Sequence, residues 1–326
     1  MRPLGFAVLR RLDVKRWTSG SVLAVELGVT RSAINDALRD AQSCGVHLQR
    51  IQGRGYRLDH PVEFIDADLV RAHLGRSAPL LRLEVLDETE STSTLVSARA
   101  AAGEPGGLCI IAENQTAGRG RMGREWHAGL GGSLTFSVLW RFQRGASALA
   151  GLSLAVSVAV LRGMRDLGIE DARVKWPNDI VFKYQKLGGI LIETQGDMLG
   201  PSAAVIGIGL NYRLDEGIKE RIGQPVTDVL SICKDPPGRN LLFAAVLRNL
   251  AALLRLFDTY GFEPVRSEWM AVHAYHNREV RVVPPNADFF YGVVDGVAAD
   301  GTLLIRQGNE QRRFTSAEIS LRVKKA

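Results

Sequence analysis

The stretch Gly118-Arg119-Gly120-Arg121-Met122-Gly123-Arg124-Glu125-Trp126, with Gln115 just upstream, sets three arginines among three glycines and ends on an indole. Arginine offers forked, permanently charged donors that match phosphate or carboxylate, and glycine lets backbone approach a ligand closely. The combination suits an anion, with the indole available to stack. The competing reading is a solvated basic loop without fixed structure. The letters also satisfy Gly-x-Gly-x-x-Gly at 118, 120 and 123, but a dinucleotide fingerprint needs a helix to begin there and an acid about 20 residues on. Residues 125–132 are instead broken by glycines, and Arg141 stands near the expected acid.

Four further groups carry polar chemistry between apolar runs. Ser91-Thr92-Ser93 opens a helix, where hydroxyls commonly act as caps. Lys175-Trp176-Pro177-Asn178-Asp179 puts a Pro-Asn-Asp turn inside an otherwise strand-like segment. Proline forbids a continuous central strand there, so the turn projects from a sheet end. Lys186 precedes Leu187-Gly188-Gly189-Ile190, and its apolar company predicts partial burial; a hairpin-tip lysine reaching to water is the alternative. Gly207-Ile208-Gly209-Leu210-Asn211 ends another apolar strand on a polar side chain.

These residues need a scaffold, and a chain of 326 residues suffices for two or three domains with sizeable cores. Hydrophobic content of 46% with 23% charged residues excludes a disordered chain. Cys44, Cys109 and Cys233 are odd in number and widely spaced, against a disulfide framework or thiolate metal site and in favour of a reducing cytoplasm. The apolar piece at residues 5–9 is too short for a signal peptide, and the uncharged run 145–161 contains three serines and predicts a buried helix rather than a membrane span. Charge is uneven. Residues 1–60 hold ten Arg/Lys against five Asp/Glu, and the rest 31 against 30. A basic partner surface is therefore expected at the front.

That front unit, residues 1–61, reads as a winged helix-turn-helix. A helix carries Phe6, Val8, Leu9 and Leu12; a second begins near Ser19-Gly20 with Val22, Leu23, Val25 and Leu27 inward; and Thr30 caps a third over 31–43, with Ala33, Ile34, Ala37, Leu38 and Ala41 on one face. A hairpin wing extends from there to Leu58. Such a module presents Arg31, Ser32, Asn35 and Arg39 to a DNA major groove, with Arg54 and Arg57 near phosphates. The alternative is a small packing or dimerisation unit, and Asp36 and Asp40 dilute the positive surface.

From Pro61 to about residue 275, helices alternate with strands. Strands are expected at 83–86, 108–112, 133–140, 173–182, 187–193 and 203–209. Ser133, Thr135 and Ser137 form the solvent face of a half-buried strand, a helix covers 146–164, and Asn240 precedes a strongly amphipathic one. Residues 276–326 change to short strands separated by Pro284-Pro285-Asn286, Asp300-Gly301 and Gly308-Asn309, as in a small antiparallel barrel. The fold class is α+β.

The arginine loop, the Lys175–Asp179 motif, Lys186 to Ile190 and Gly207 to Asn211, in this order and spacing, resemble biotin protein ligases. With the front unit, the whole chain resembles the bifunctional kind, which also represses biotin synthesis. The resemblance implies a mixed-sheet, class II synthetase-like ligase domain over 62–275 and an SH3-like barrel over 276–326. It implies that biotin and ATP give biotinyl-5′-adenylate, with Mg²⁺ accompanying the nucleotide. A lysine of biotin carboxyl carrier protein then takes the acyl group. Operator DNA and a second copy of the chain are the other implied partners.

By the same resemblance, Ser91, Thr92, Ser93 and Gln115 bind biotin together with Arg119, Gly120, Arg121 and Lys186; Ser93 stands where some relatives carry Asn. Gly118, Arg124, Trp126, Asn178 and Asn211 face the adenylate. Lys186, Arg119 and Arg121 screen the phosphates, with Lys186 the main electrostatic catalyst. Asp179 either holds magnesium or orients the incoming lysine, and as a plain turn residue it would bond its own backbone. The rival readings are a lipoate or octanoate ligase on the same fold and a biotin-sensing repressor without catalysis.

Overall fold

A computed structural model describes residues 1–283 and 288–315, and the backbone of 320–323. The chain opens with α1 (Pro3–Leu9), α2 (Gly20–Leu27) and α3 (Arg31–Ser43), and continues into the hairpin β1 (Leu48–Ile51) and β2 (Gly55–Leu58). Gly28 makes the left-handed turn after α2 at φ +64°, and the Thr30 hydroxyl accepts from the Ala33 N–H at 3.2 Å, which starts α3 where the sequence predicts. Thr30→Ala should cost this unit about 1 kcal/mol, read as a lower denaturant midpoint; an unchanged midpoint would mean the cap contributes nothing.

The expected inward face of α2 is corrected. Leu23 and Ala24 are buried, whereas Val22 and Val25 are 47% and 83% exposed. Residues 22–25 are all apolar, so periodicity leaves the helix phase open, and packing on α1 and α3 decides it.

The middle of the chain builds a seven-stranded mixed sheet, preceded by α4 (Ala67–Leu74). Its strands are β3 (Arg82–Thr89), β4 (Leu108–Gln115), β5 (Ser133–Phe142), β6 (Arg173–Lys175), β7 (Asp179–Phe182), β8 (Gln185–Gly196) and β9 (Ser202–Asn211), in the order β3-β4-β5-β9-β8-β7-β6. Only β3 and β4 run parallel, joined by the crossover helix α5 (Thr92–Ala101). Leu108 and Ile110 pack with Val96 of α5, and Cys109 and Ile111 face the opposite layer.

That opposite layer holds α4, α6 (Leu152–Arg165), α9 (Arg239–Tyr260) and α10 (Glu263–Ala271). The short helices α7 (Glu216–Ile222) and α8 (Val229–Ile232) lie between β9 and α9 in the chain. By length and composition α9 could cross a membrane, but Leu242, Phe243, Val246, Leu250, Leu253, Leu254 and Phe257 are buried in the main core.

Three expectations in this region change. The helix expected over 146–164 is interrupted at Gly151, with φ +80°; a Cβ there would lie 2.8 Å from that of Phe262, so only α6 continues as regular helix. The hydroxyl face of β5 is not solvated. Ser133, Thr135 and Ser137 are all buried, because α5 and the site described below cover them. Asn240 lies inside the first turn of α9 rather than before it, and its Nδ2 donates to Glu63 at 2.7 Å.

Beside Asn240, Arg239 and Glu113 form an ion pair at 2.9 Å with residue exposures of 1% and 2%. The remaining Glu113 oxygen accepts from the Ile65 N–H at 2.5 Å, and Arg239 donates to the carbonyls of Glu63 and Ser133. The connection from the front unit is thereby clamped to the sheet. Arg10 adds an ion pair with Asp87, and Leu130 packs against the front unit's core.

The C-terminal strands β10 (Glu279–Val283), β11 (Phe290–Val297), β12 (Leu303–Gln307), β13 (Glu310–Phe314) and β14 (Ser320–Val323) form an antiparallel sheet ordered β13-β12-β11-β10-β14. Val280, Val282, Val294 and Ile305 join the main core. The predicted turn at Pro284-Pro285-Asn286 and Ile319 lie outside the described residues.

Candidate active site

The polar motifs converge at one end of β8 and β9. Gly189 on β8 lies directly beside Gly209 on β9, leaving a patch of floor without side chains. Trp126 lies across it: a Cβ on Gly209 would come within 2.4 Å of the indole, and one on Gly189 within 3.3 Å. The paired glycines therefore make room to seat this ring. The indole N–H is buried and, among the described residues, without a hydrogen-bond partner.

Residues 118–126 form neither an α-helix nor an unstructured loop, with one short 3₁₀ turn at Arg121–Gly123. The Trp126 N–H donates to Gly118 O at 2.8 Å, and the Gly120 N–H to Arg124 O at 2.7 Å. Met122 and Gly123, at φ 55° and 71°, complete the reversal. This turn-back removes the dinucleotide reading, since no helix comes next to receive a pyrophosphate.

Two cavities meet at Trp126 and Lys186. The first, about 190 Å³, is lined by Ser91, Thr92, Ser93, Gln115, Ser137 and the loop arginines, among others. In it Ser91 Oγ and Ser93 Oγ are 3.0 Å apart, Thr92 Oγ1 and Ser137 Oγ 2.9 Å apart, and Gln115 Oε1 accepts from the Thr92 N–H at 2.7 Å. The second, about 340 Å³, is lined by Arg124, Glu125, Trp126, His127, Lys186, Asn211, Ile222, Gln224 and Val226. Lys186 Nζ stands 2.9 Å from Asp179 Oδ1 and 5.8 Å from the Trp126 ring.

The cations divide their attachments. Arg121, half-buried, donates to Asn178 Oδ1 at 3.1 Å; burial pushes its pKa down, and the Asp179 charge opposes that. Arg119 sits at the rim, where Glu193 of β8 takes its guanidinium at 2.8 Å. Arg124 is exposed. Asn178 also donates to Ile190 O at 2.8 Å, so it ties the arginine loop to β8. Asn211 donates to Thr227 O at 3.1 Å, and its buried Oδ1 has no partner among the described residues.

The turn between β6 and β7 is fixed from behind. The Trp176 N–H donates to His273 Nε2 at 3.4 Å, and burial, then the neighbouring His276, push His273 down to about 3, which keeps it neutral and able to accept. The Trp176 indole donates to Gly301 O at 3.0 Å. Among the described residues no three His, Cys, Asp or Glu side chains gather as a metal site.

Sequence reasoning missed Ser137, Glu193, Gln224 and His273. The alternating hydroxyls of β5 were the available signal for Ser137. Nothing local marks the others, whose partners are distant in the chain.

The front unit's residues are dispersed by contrast. Arg31, Ser32 and Arg54 are exposed, and Arg39 is exposed with an ion pair to Asp36 at 3.2 Å. Asn35 is half-buried and accepts from the Tyr56 hydroxyl at 2.6 Å. Arg57 lies over Trp17 at 4.7 Å and donates to Gln49 at 2.8 Å.

The model of the Biotin/lipoate A/B protein ligase family matches residues 85–211, and that of the Biotin protein ligase C terminal domain matches 275–322. The bifunctional ligase/repressor BirA of Salmonella typhimurium is 34% identical, covering 93% of each chain. That of Escherichia coli is 33% identical over 93% of this chain and 92% of its own. Among solved structures, the biotin protein ligase of Aquifex aeolicus in complex with biotin and ATP is 25% identical with TM-score 0.62, over 74% of this chain and 99% of that one. A mutant of the same ligase in complex with biotin gives 26% and 0.64, over 75% and 100%. With the likeness running from the front helices through the arginine loop to the C-terminal strands, the chain belongs to the biotin protein ligase family.

Proposed function

We propose that the chain makes biotinyl-5′-adenylate and passes biotin to a lysine of biotin carboxyl carrier protein. The observation that carries this is the meeting of the two cavities at Lys186 and Trp126. The first holds hydroxyls and an amide suited to a ring with two N–H donors and a carbonyl, as in biotin, and the second takes the nucleotide. A carboxylate oxygen of biotin bonds to the α-phosphorus of ATP while the bond to pyrophosphate breaks. The neutral acceptor amine then bonds to the acyl carbon, AMP leaves with the electron pair, and the proton lost from the amine passes to solvent. Lys186 and Arg121 supply positive charge where negative charges are brought together.

Ser91, Thr92, Ser93 and Gln115 hold biotin, with Arg119 and Gly120 at the rim. Gly118, Arg124, Trp126, Asn178 and Asn211 shape the nucleotide side, Asn178 and Asn211 through backbone and loop positions. Magnesium would ride on the phosphates, since such an ion keeps its waters and takes one or two carboxylates. Asp179 would meet it or orient the acceptor lysine. When bound, the ion neutralises phosphate charge.

The proposed organisation is a winged helix-turn-helix over 1–61, the ligase domain over 62–275 and an SH3-like barrel over 276–326, acting in the cytoplasm. Operator binding, as in a bifunctional repressor, is supported by the basic surplus of residues 1–60 and by exposed Arg31, Ser32 and Arg39 on α3. A homodimer is supported by residues 191–196 of β8, which pair on one side only, with β9, among the described residues.

Labelled pyrophosphate should exchange into ATP with biotin and not with lipoate; exchange with lipoate alone would instead mark a lipoate ligase. Biotin binding without exchange would mark a non-catalytic sensor. DNA carrying the control region of biotin synthesis genes should be retarded more strongly with biotin and ATP present, and less at higher salt.

A further inference from the structure

The hairpin joining β7 to β8 turns on Lys183 and Tyr184, at φ 47° and 66°. Two consecutive left-handed residues are usually Asn-Gly, because a Cβ is strained there. Here two large side chains occupy the turn, two residues before Lys186. Tyr184 stays 44% exposed while its ring leans on Tyr275 at 5.4 Å, and the Arg278 guanidinium lies 5.6 Å from its centroid. Tyr275 is buried and in turn lies 6.0 Å from Lys175 Nζ, a residue lining the first cavity. A continuous band therefore leads from the reaction pocket, along the edge of the seven-stranded sheet, to the residue preceding β10. Its charged members are Lys175, Lys183 and Arg278, beside Glu279.

A group-transfer site of this kind must admit a lysine attached to a folded protein. The acceptor's backbone must rest within one side chain's length of the pocket, on a surface that recognises protein rather than the small substrates. The band has the features of such a surface, with an exposed tyrosine set against a tilted Tyr275 ring and the Arg278 guanidinium, flanking cations, and direct continuity with the pocket. We infer that Lys183, Tyr184 and Arg278 are the docking platform for the acceptor protein, taking an acidic stretch beside its target lysine. The assignment rests on the ligase reading. The strain of the turn is then the cost of presenting Tyr184 at the tip instead of an Asn-Gly pair.

The test uses the full chain with the double variant K183N/Y184G, which suits the left-handed turn, and separately R278E. Biotin-dependent pyrophosphate exchange and biotinyl transfer to hydroxylamine should be unchanged, while KM for a purified carrier domain rises about tenfold, as for loss of one aromatic interface anchor. The melting temperature should hold or rise for K183N/Y184G. Unchanged carrier KM in both variants would overturn the inference. So would loss of exchange together with transfer, which would place the tip's role in the pocket, or loss of operator binding with transfer intact, which would make the band a DNA surface. Absence of exchange in the unmodified protein would instead remove the ligase reading on which the inference stands.

Discussion

Replacing Lys186 with alanine should slow biotin-dependent pyrophosphate exchange by about 10²–10³-fold while leaving biotin affinity within a few-fold. Lys186 Nζ lies where the two cavities meet, with Asp179 as an ionic partner 2.9 Å away and the Trp126 ring 5.8 Å away. Backbone bonds fix its position: its N–H donates to Pro225 O at 2.9 Å, and its carbonyl accepts from the Thr227 N–H at 3.0 Å. A cation so fixed needs little reorganisation when charge builds on the α-phosphorus, which is the condition under which it lowers a barrier. The proposed partners of biotin's ring are the hydroxyls and the amide of the first cavity, so ground-state binding of biotin should change little.

Single-turnover adenylate formation and calorimetric biotin binding measured on the same variant separate the two effects. A fall in exchange under about tenfold, or a parallel loss of biotin affinity, would remove Lys186 from the catalytic role. Lys186→Arg should recover part of the rate, because the charge remains while its geometry changes.

Arg121→Ala should release biotinyl-adenylate about 10- to 100-fold faster, the equivalent of one charge-assisted hydrogen bond, and should weaken operator retention with it. Arg121 is the half-buried arginine of the loop and donates to Asn178, which itself donates to Ile190 O on β8. Its loss removes a charge facing the reaction site and the tie that holds residues 118–126 over it. Since the acyl-adenylate hydrolyses in water, a loosened cover also exposes it. Adenylate dissociation measured after quenching, beside a gel-shift titration, provides the check. If both are unchanged, the loop is only a basic surface. By comparison Arg119 is given to Glu193 at the rim, and Arg124 is exposed, so their removal should cost less.

Much of the site is legible in the chain because its chemistry is local. The Gly-Arg alternation, the Pro-Asn-Asp turn and the paired glycines each specify backbone behaviour over a few residues, and each sits where expected. The start of α3 is equally local, since Thr30 caps the helix directly after it. The expectations that fail depend on surroundings. Ser137 and Thr135 alternate with apolar residues as a solvated face would, yet α5 covers them and Thr92 pairs with Ser137. Val22 and Val25 face outward against expectation because residues 22–25 offer no polar face to set the phase of α2. The anchoring of Asn178 and Asn211, each of which gives an amide donor to a carbonyl, of Ile190 and of Thr227, is likewise set by the fold and not by any local pattern.

Which backbone segments turn, extend or approach a ring closely is thus written in the chain alone, since those properties arise from glycine, proline and hydroxyl chemistry within a few residues. The concentration of positive charge at the front is equally a matter of sequence. Which polar groups are occupied is settled only on folding. The Arg119–Glu193, Lys186–Asp179 and Arg239–Glu113 pairs join different elements. A glycine next to Trp126 has no visible purpose until β8 and β9 lie side by side beneath the indole. Such pairings are set by strand order and helix packing, which depend on the whole core at once, and no short stretch of sequence contains that information.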